Sequence, residues 1–100
     1  MAKYKLTNRA IDDLTQIWNY TLDKWSENQA DKYYQMLLDN FNEIAKNPGL
    51  GKNYSGVIEN LWGLRTGRHI IFYRKVEENE VEITRILHEQ MDLKNRMNEK

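Results

Sequence analysis

The stretch from Leu61 to His88, LWGLRTGRHIIFYRKVEENEVEITRILH, constrains the fold more than any other part of the chain. Two turn signals divide it into three strands. Thr66-Gly67 supplies a glycine where a tight connection needs positive φ, and Glu77-Glu78-Asn79 is a polar break. Between them, Arg68 to Val76 carries His69, Ile70, Ile71, Phe72 and Tyr73 almost without interruption, the pattern of a central strand covered on one side and at least partly on the other. After the break, Val81, Ile83, Arg85 and Leu87 alternate with Glu82, Thr84, Ile86 and His88, so the last strand has two distinct faces. Leu61, Trp62 and Leu64 form the shorter first strand. Connections this short make the three an antiparallel meander.

The rest of the chain must cover or extend this sheet. Tyr4 and Leu6, between Lys3, Lys5 and Thr7, alternate like a strand too short to stand alone, which therefore joins the sheet. Thr7 or Asn8 is placed to cap a helix, along which Ile11, Leu14, Trp18, Leu22 and Trp25 recur at spacings of three and four. Asp12, Asp13, Gln16, Asn19 and Asp23 fall on its other side, the first two near the positive end of the helix dipole. Ser26-Glu27-Asn28-Gln29 matches a capping box and starts a second helix. Its apolar side holds Ala30, Tyr33, Tyr34, Leu37, Leu38, Phe41, Ile44 and Ala45, and Asn47-Pro48-Gly49 ends it. A link of one or two residues folds the helices back as an antiparallel hairpin, which packs on one face of the sheet. At their helical spacing Trp18, Trp25, Tyr33 and Phe41 read as core. The expected architecture is a single α+β domain over residues 1–100, in the order β-α-α-β-β-β, with a mainly antiparallel sheet. Residues 49–60 read as a glycine-rich loop with Lys52 and Tyr54 in solvent, and residues 89–100 as a short helix or tail carrying Met91, Leu93 and Met97.

Composition narrows the function. Among 100 residues, 15 basic and 15 acidic side chains cancel, so the chain lacks the basic excess of a nucleic-acid coat protein. The local balance is uneven: residues 61–75 hold Arg65, Arg68, Arg74 and Lys75 without an acid, and residues 76–82 hold Glu77, Glu78, Glu80 and Glu82 without a base. Cross-strand pairing and a binding patch both account for this. The absence of cysteine excludes disulfides and thiolate metal sites, and no stretch reads as a membrane span or a secretory signal. The expected address is the cytoplasm.

No metal site is expected, because His69 and His88 lie on different strands with no further ligand at suitable spacing. No cofactor loop or distinctive Ser nucleophile is present either. Metal-free RNA cleavage needs a general base, a general acid and fixed cations. The strands offer His69, His88, Tyr73, Glu89, Arg65, Arg68 and Arg85 for those roles, although a small sheet with Arg and His supplies such a set without being a nuclease.

Six segments stand out together: Leu14-x-x-Ile17-Trp18-x-Tyr20, Trp25, Ala30-x-x-Tyr33, Asn47-Pro48 with Gly51, Gly67-Arg68-His69-x-Ile71-Phe72-Tyr73-Arg74, and Arg85-Ile86-Leu87-His88-x-x-Met91-Asp92. In this combination the chain resembles the ParE toxins of the RelE/ParE superfamily, the toxin halves of bacterial type II toxin–antitoxin pairs. The resemblance covers nearly the whole length and implies the same strand, helical hairpin and meander. It also implies a protein that poisons DNA gyrase and is neutralised by a ParD-like antitoxin, with no direct specific contact to nucleic acid. On that reading Arg65, Arg68, Arg74 and Tyr73 meet the antitoxin, and His88, Met91, Asp92, Leu93, Arg96 and Met97 meet the target. The alternative is the ribosome-dependent mRNA cleavage of RelE-type relatives, for which His88, Arg85 and Arg65 are the candidates. This chain departs from that pattern, since no Tyr follows His88 and the loop before the sheet offers only Lys52.

Overall fold

The computed structural model describes residues 2–56 and 58–89. Strand β1 (Lys3–Leu6) leads into helix α1 (Asn8–Lys24) and helix α2 (Glu27–Lys46). A single 3₁₀ turn (Pro48–Leu50) and a two-residue strand β2 (Lys52–Asn53) follow, then β3 (Trp62–Thr66), β4 (His69–Glu77) and β5 (Glu80–His88). The sheet order is β1-β5-β4-β3-β2, with β1 parallel to β5 and the other pairs antiparallel. The α+β meander with a helical hairpin is as the pattern predicts. The loop prediction for residues 49–60 needs correction, because this segment contributes the 3₁₀ turn and an extra edge strand.

Both helix starts follow from their caps. Thr7 Oγ1 accepts from Ala10 N at 3.0 Å and donates to Thr84 O at 2.8 Å, so one hydroxyl caps α1 and ties it to β5. Ser26 Oγ accepts from Gln29 N at 3.1 Å, the serine half of the capping box.

The helices cover one face of the sheet. There Leu14, Leu37, Phe41 and Ile44 from the hairpin meet Ile71, Tyr73, Val81, Ile83 and Ile86 from the strands. Phe41 is fully buried, and the Tyr4 ring packs edge-on against it. The opposite, outer face holds a smaller cluster of Leu61, Ile70, Phe72 and Leu87, with Tyr54 and Ile58 packed over it. Tyr54 lies edge-on to Phe72 at 5.2 Å, so it covers the outer face and does not stand in solvent.

Helix α1 turns a different stripe inward from the one its largest residues mark. The buried positions are Ala10, Asp13 and Leu14, with Ile17 partly buried beside them. Ile11 and Leu22 are exposed, and Trp25, expected in the core, is 71% exposed. Trp18 packs edge-on to Tyr34 of α2, so it lies toward the neighbouring helix, while Ile11, Leu22 and Trp25 are open to solvent. Asp13 reaches the interior because β5 offers it three donors.

Candidate functional site

A cavity of about 1040 Å³ opens at the edge of the hairpin cover, between one side of α1 from Arg9 to Thr21, the start of α2 and the adjoining ends of β4 and β5. Its wall combines apolar groups (Ile17, Tyr20, Trp25) with polar ones (Tyr33, Arg68, His69, His88). Tyr20 is 63% exposed, which leaves two large aromatic surfaces of the wall open to a partner.

The floor is fixed by an ion pair. Asp13 Oδ2 accepts from Arg85 Nε at 2.7 Å and from Ile86 N at 3.0 Å, and Asp13 Oδ1 accepts from Arg85 Nη2 at 3.0 Å. A bidentate fork plus a backbone amide satisfies a carboxylate that burial would otherwise destabilise. A bulge in the strand pairing brings Ile86 to the same side as Arg85. Phe72 pairs with Arg85 while Tyr73 pairs with Ile83, so Thr84 is an extra residue and the alternation along β5 breaks there. Arg85 keeps the helix side that alternation from Val81 and Ile83 gives it, and past the bulge Ile86 joins that side while Leu87 passes to the outer one. Sequence reasoning missed Asp13, which was assigned to the solvent side. The available signal was its position one residue before Leu14, on the stripe that Ala10 and Ile17 share.

The polar end is built on the β3–β4 turn. Gly67 has φ +59°, and a Cβ there would stand 2.8 Å from Tyr33 Oη, so the turn admits only glycine. The Tyr33 hydroxyl lies 2.6 Å from His69 Nδ1 and 3.3 Å from Thr66 O, and it accepts from Arg68 N at 3.2 Å. The much shorter distance assigns its proton to Nδ1, which leaves the His69 proton on Nε2. His69 Nε2 has no hydrogen-bond partner among the described residues. The His69 ring packs edge-on to His88 at 5.5 Å. Burial, reinforced by the His88 imidazole, lowers the His69 pKa to about 4. Burial likewise raises the Tyr33 pKa.

The structure separates the residues that the sequence grouped for partner binding. Arg68 and His88 line the cavity. Arg65 pairs across the ladder with Ile70 of the outer cluster, so it projects on the outer side, where it forms an ion pair with Glu89. Arg74 pairs with Glu82 at 2.9 Å, cross-strand pairing of the kind the charge pattern allowed. Tyr73 is fully buried and lies on no exposed surface. Its hydroxyl donates to Pro48 O at 2.7 Å and accepts from Gly51 N at 2.9 Å, which anchors the turn after α2; burial raises its pKa. A strand apolar on both sides gives no sign of which aromatic faces inward. Met91, Asp92, Leu93, Arg96 and Met97 lie outside the described residues.

Among the described residues no cluster of three or more His, Cys, Asp or Glu side chains is arranged to hold a metal ion. No described helix is long and apolar enough to cross a membrane.

Comparison with known proteins agrees with this architecture. Residues 4–93 match the family model described as ParE toxin of type II toxin-antitoxin system, parDE. Toxin ParE1 of Caulobacter vibrioides is 35% identical over 92 residues, covering 92% of this chain and 94% of that protein. Toxin ParE1 of Mycobacterium tuberculosis (strain H37Rv) is 32% identical over 92 residues with the same coverage. Among solved structures, one described as a chromosomal ParDE TA system from P. aeruginosa superposes with a TM-score of 0.74 at 20% identity, covering 88% of this chain and 96% of that one. The RelBE2 toxin-antitoxin complex of Mycobacterium tuberculosis gives 0.62 at 20% identity, covering 87% and 96%. These structural matches show a shared fold, and the matches in sequence show more: the chain belongs to the ParE toxin family of type II toxin–antitoxin systems.

Proposed function

We propose that this ParE-family toxin acts by binding rather than by catalysis, that its target is DNA gyrase, and that a ParD-like antitoxin neutralises it by occupying the cavity beside the helical hairpin. The observation that carries the non-enzymatic reading is that the set named for the nuclease alternative, His88, Arg85 and Arg65, does not converge on one site. Arg85 shares the cavity wall with His88, but its Nε and Nη2 are committed to Asp13. Arg65 lies on the outer side of the sheet with Glu89. A phosphodiester in the cavity would therefore meet His88 beside His69 and Arg68, with Arg65 on the other face and Arg85 turned to Asp13 instead of to the phosphate. A binding toxin needs only a complementary surface, and a half-apolar cavity with exposed aromatic walls suits an amphipathic segment that folds as it docks.

Expression of the full chain in a bacterial host tests the reading directly. The expected outcome is loss of DNA supercoiling and a DNA-damage response while translated mRNA stays intact, with growth restored by a co-expressed ParD-like antitoxin. Rapid cleavage of translated mRNA, abolished by His88→Ala, overturns it in favour of the nuclease.

A further inference from the structure

The cavity has a chemical direction that an amphipathic occupant must match. Ile17, Tyr20 and Trp25 make one part of its wall apolar, while the part at the β3–β4 turn presents donors. There the Tyr33 hydroxyl engages His69 Nδ1 at 2.6 Å, which orients the ring and leaves Nε2–H as the donor without a partner among the described residues. Arg68 brings a guanidinium to the same end, exposed at the turn, and its backbone amide is held by Tyr33 Oη at 3.2 Å, which fixes where that side chain starts. The acidic groups near this end are already engaged: Asp13 is paired with Arg85, and Glu89 with Arg65.

We infer that the Arg68–His69 end of the cavity, oriented by Tyr33, is a carboxylate subsite that receives an acidic side chain of the antitoxin segment, while a neighbouring large apolar side chain of that segment lies against Ile17, Tyr20 and Trp25. This rests on the reading that the antitoxin occupies the cavity. It adds which chemistry reads the partner: a planar guanidinium and an imidazole N–H placed for one carboxylate, in a partly buried site where charge-assisted hydrogen bonds are stronger than in water.

The subsite makes binding proton-linked. Free, His69 is held neutral by burial and by His88, with Tyr33, Arg68, Asp13 and Glu89 as its other polar neighbours. A carboxylate at Nε2 favours the imidazolium, so the complex takes up a proton as it forms in mildly acidic solution.

The test is calorimetry of the full chain with its cognate antitoxin near pH 5.5, in two buffers of different ionisation enthalpy, which counts protons exchanged. Wild type takes up protons on binding. His69→Asn keeps an oxygen where Nδ1 accepts from Tyr33 and removes Nε2, so the uptake disappears and affinity falls about tenfold. Arg68→Ala, at an exposed turn position, weakens binding by a similar factor. Trp25→Ala, at a position 71% exposed and so harmless to folding, separates the two levels of inference. If Trp25→Ala weakens binding while His69→Asn and Arg68→Ala change neither affinity nor proton count, the antitoxin sits in the cavity and the subsite is wrong. If Trp25→Ala has no effect either, the antitoxin docks elsewhere and the subsite falls with that reading. A dimer of the chain alone that Trp25→Ala dissolves and the antitoxin leaves intact would put a second copy in the cavity and overturn both.

Discussion

On the helix side of the sheet, Ile71, Val81, Ile83 and Ile86 lie beneath helices of 17 and 20 residues. On the outer side, Ile70, Phe72 and Leu87 lie beneath Tyr54, Ile58 and Leu61, all from the segment between β2 and β3. Helices bring a continuous apolar stripe and satisfy their own backbone, so they seal most of a face. A loop brings a few side chains and closes only the patch beneath them. Two polar devices stand along the helix side, the Asp13–Arg85 pair within its packing and the Tyr33–His69 contact at its margin, and the cavity opens between the hairpin and the strand ends beside them. The difference identifies the rigid helix side as the one with room for a partner and the outer side as the one that consumes its own loop.

The largest effects test the helix side. Phe41 is fully buried between hairpin and sheet, where rigid elements hold the space open, so Phe41→Ala should cost about 5 kcal/mol. Asp13→Ala should follow at about 4 kcal/mol, because it leaves the Arg85 guanidinium buried without its carboxylate and the Ile86 amide without its acceptor. Phe72→Ala should cost less, about 3 kcal/mol, since the loop above it can settle into part of the vacated space. Urea unfolding midpoints at constant m-value check all three. Equal losses for Phe41→Ala and Phe72→Ala would remove the distinction between the faces, and an unchanged midpoint for Phe72→Ala would deny it a core role altogether.

The order of these costs bears on what the sequence made readable. Strands β1, β3, β4 and β5, both N-caps and the hairpin follow from local rules, because turn glycines, capping hydroxyls and apolar periods act over a few residues. The α1 stripe does not. A period of three and four fits Ile11, Leu14, Trp18, Leu22 and Trp25, yet of these only Leu14 is on the sheet-facing side, which it shares with Ala10, Asp13 and Ile17. Helical periodicity marks an apolar side without saying whether a sheet, a sister helix or solvent meets it. Asp13 was out of reach for a second reason: its burial depends on donors from Arg85 and Ile86, 72 and 73 residues away in sequence. Of the site, Arg68 and His88 were legible as candidates. Tyr33 read as packing because its hydroxyl partner lies on another element, and His69 read only as a nuclease candidate.

Acid should act on the cavity end before it acts on the outer side. His69 binds fewer protons in the folded chain than unfolded between about pH 4 and its ordinary 6.5. Its neutral state is thus no handicap above pH 6.5, and stability falls as pH drops through that window toward 4. Discounted for the part of the ring that water reaches, the loss should be about 1–2 kcal/mol. Stability curves of wild type and His69→Asn measured from pH 7 to 4 should converge toward the acid end. Parallel curves would mean that His69 titrates normally and that the cavity end is wetter than its packing implies.

The smallest effect tests the outer side. Arg74 and Glu82 pair at 2.9 Å across β4 and β5, with the Arg74 side chain 54% exposed. Alternation from the buried, helix-facing Tyr73 and Ile83 puts both on the outer side, away from the cavity. An ion pair this open to solvent is screened and holds two long side chains against their entropy, so Arg74→Ala should cost about 0.5 kcal/mol, and less in high salt. Its effect on the antitoxin is the sharper measurement. Arg74 belongs to the charge patch from which the sequence predicted a partner surface, whereas its structural partner is Glu82 within the same sheet. With the partner on the helix side, Arg74→Ala should change antitoxin affinity by less than about twofold, within what a distant surface charge does to association. A tenfold loss in Arg74→Ala, matched by Arg65→Ala and absent in Arg68→Ala, would reverse the assignment of the two faces. The partner would then lie along the outer side, over Tyr54 and its loop, and the cavity would have to serve something else.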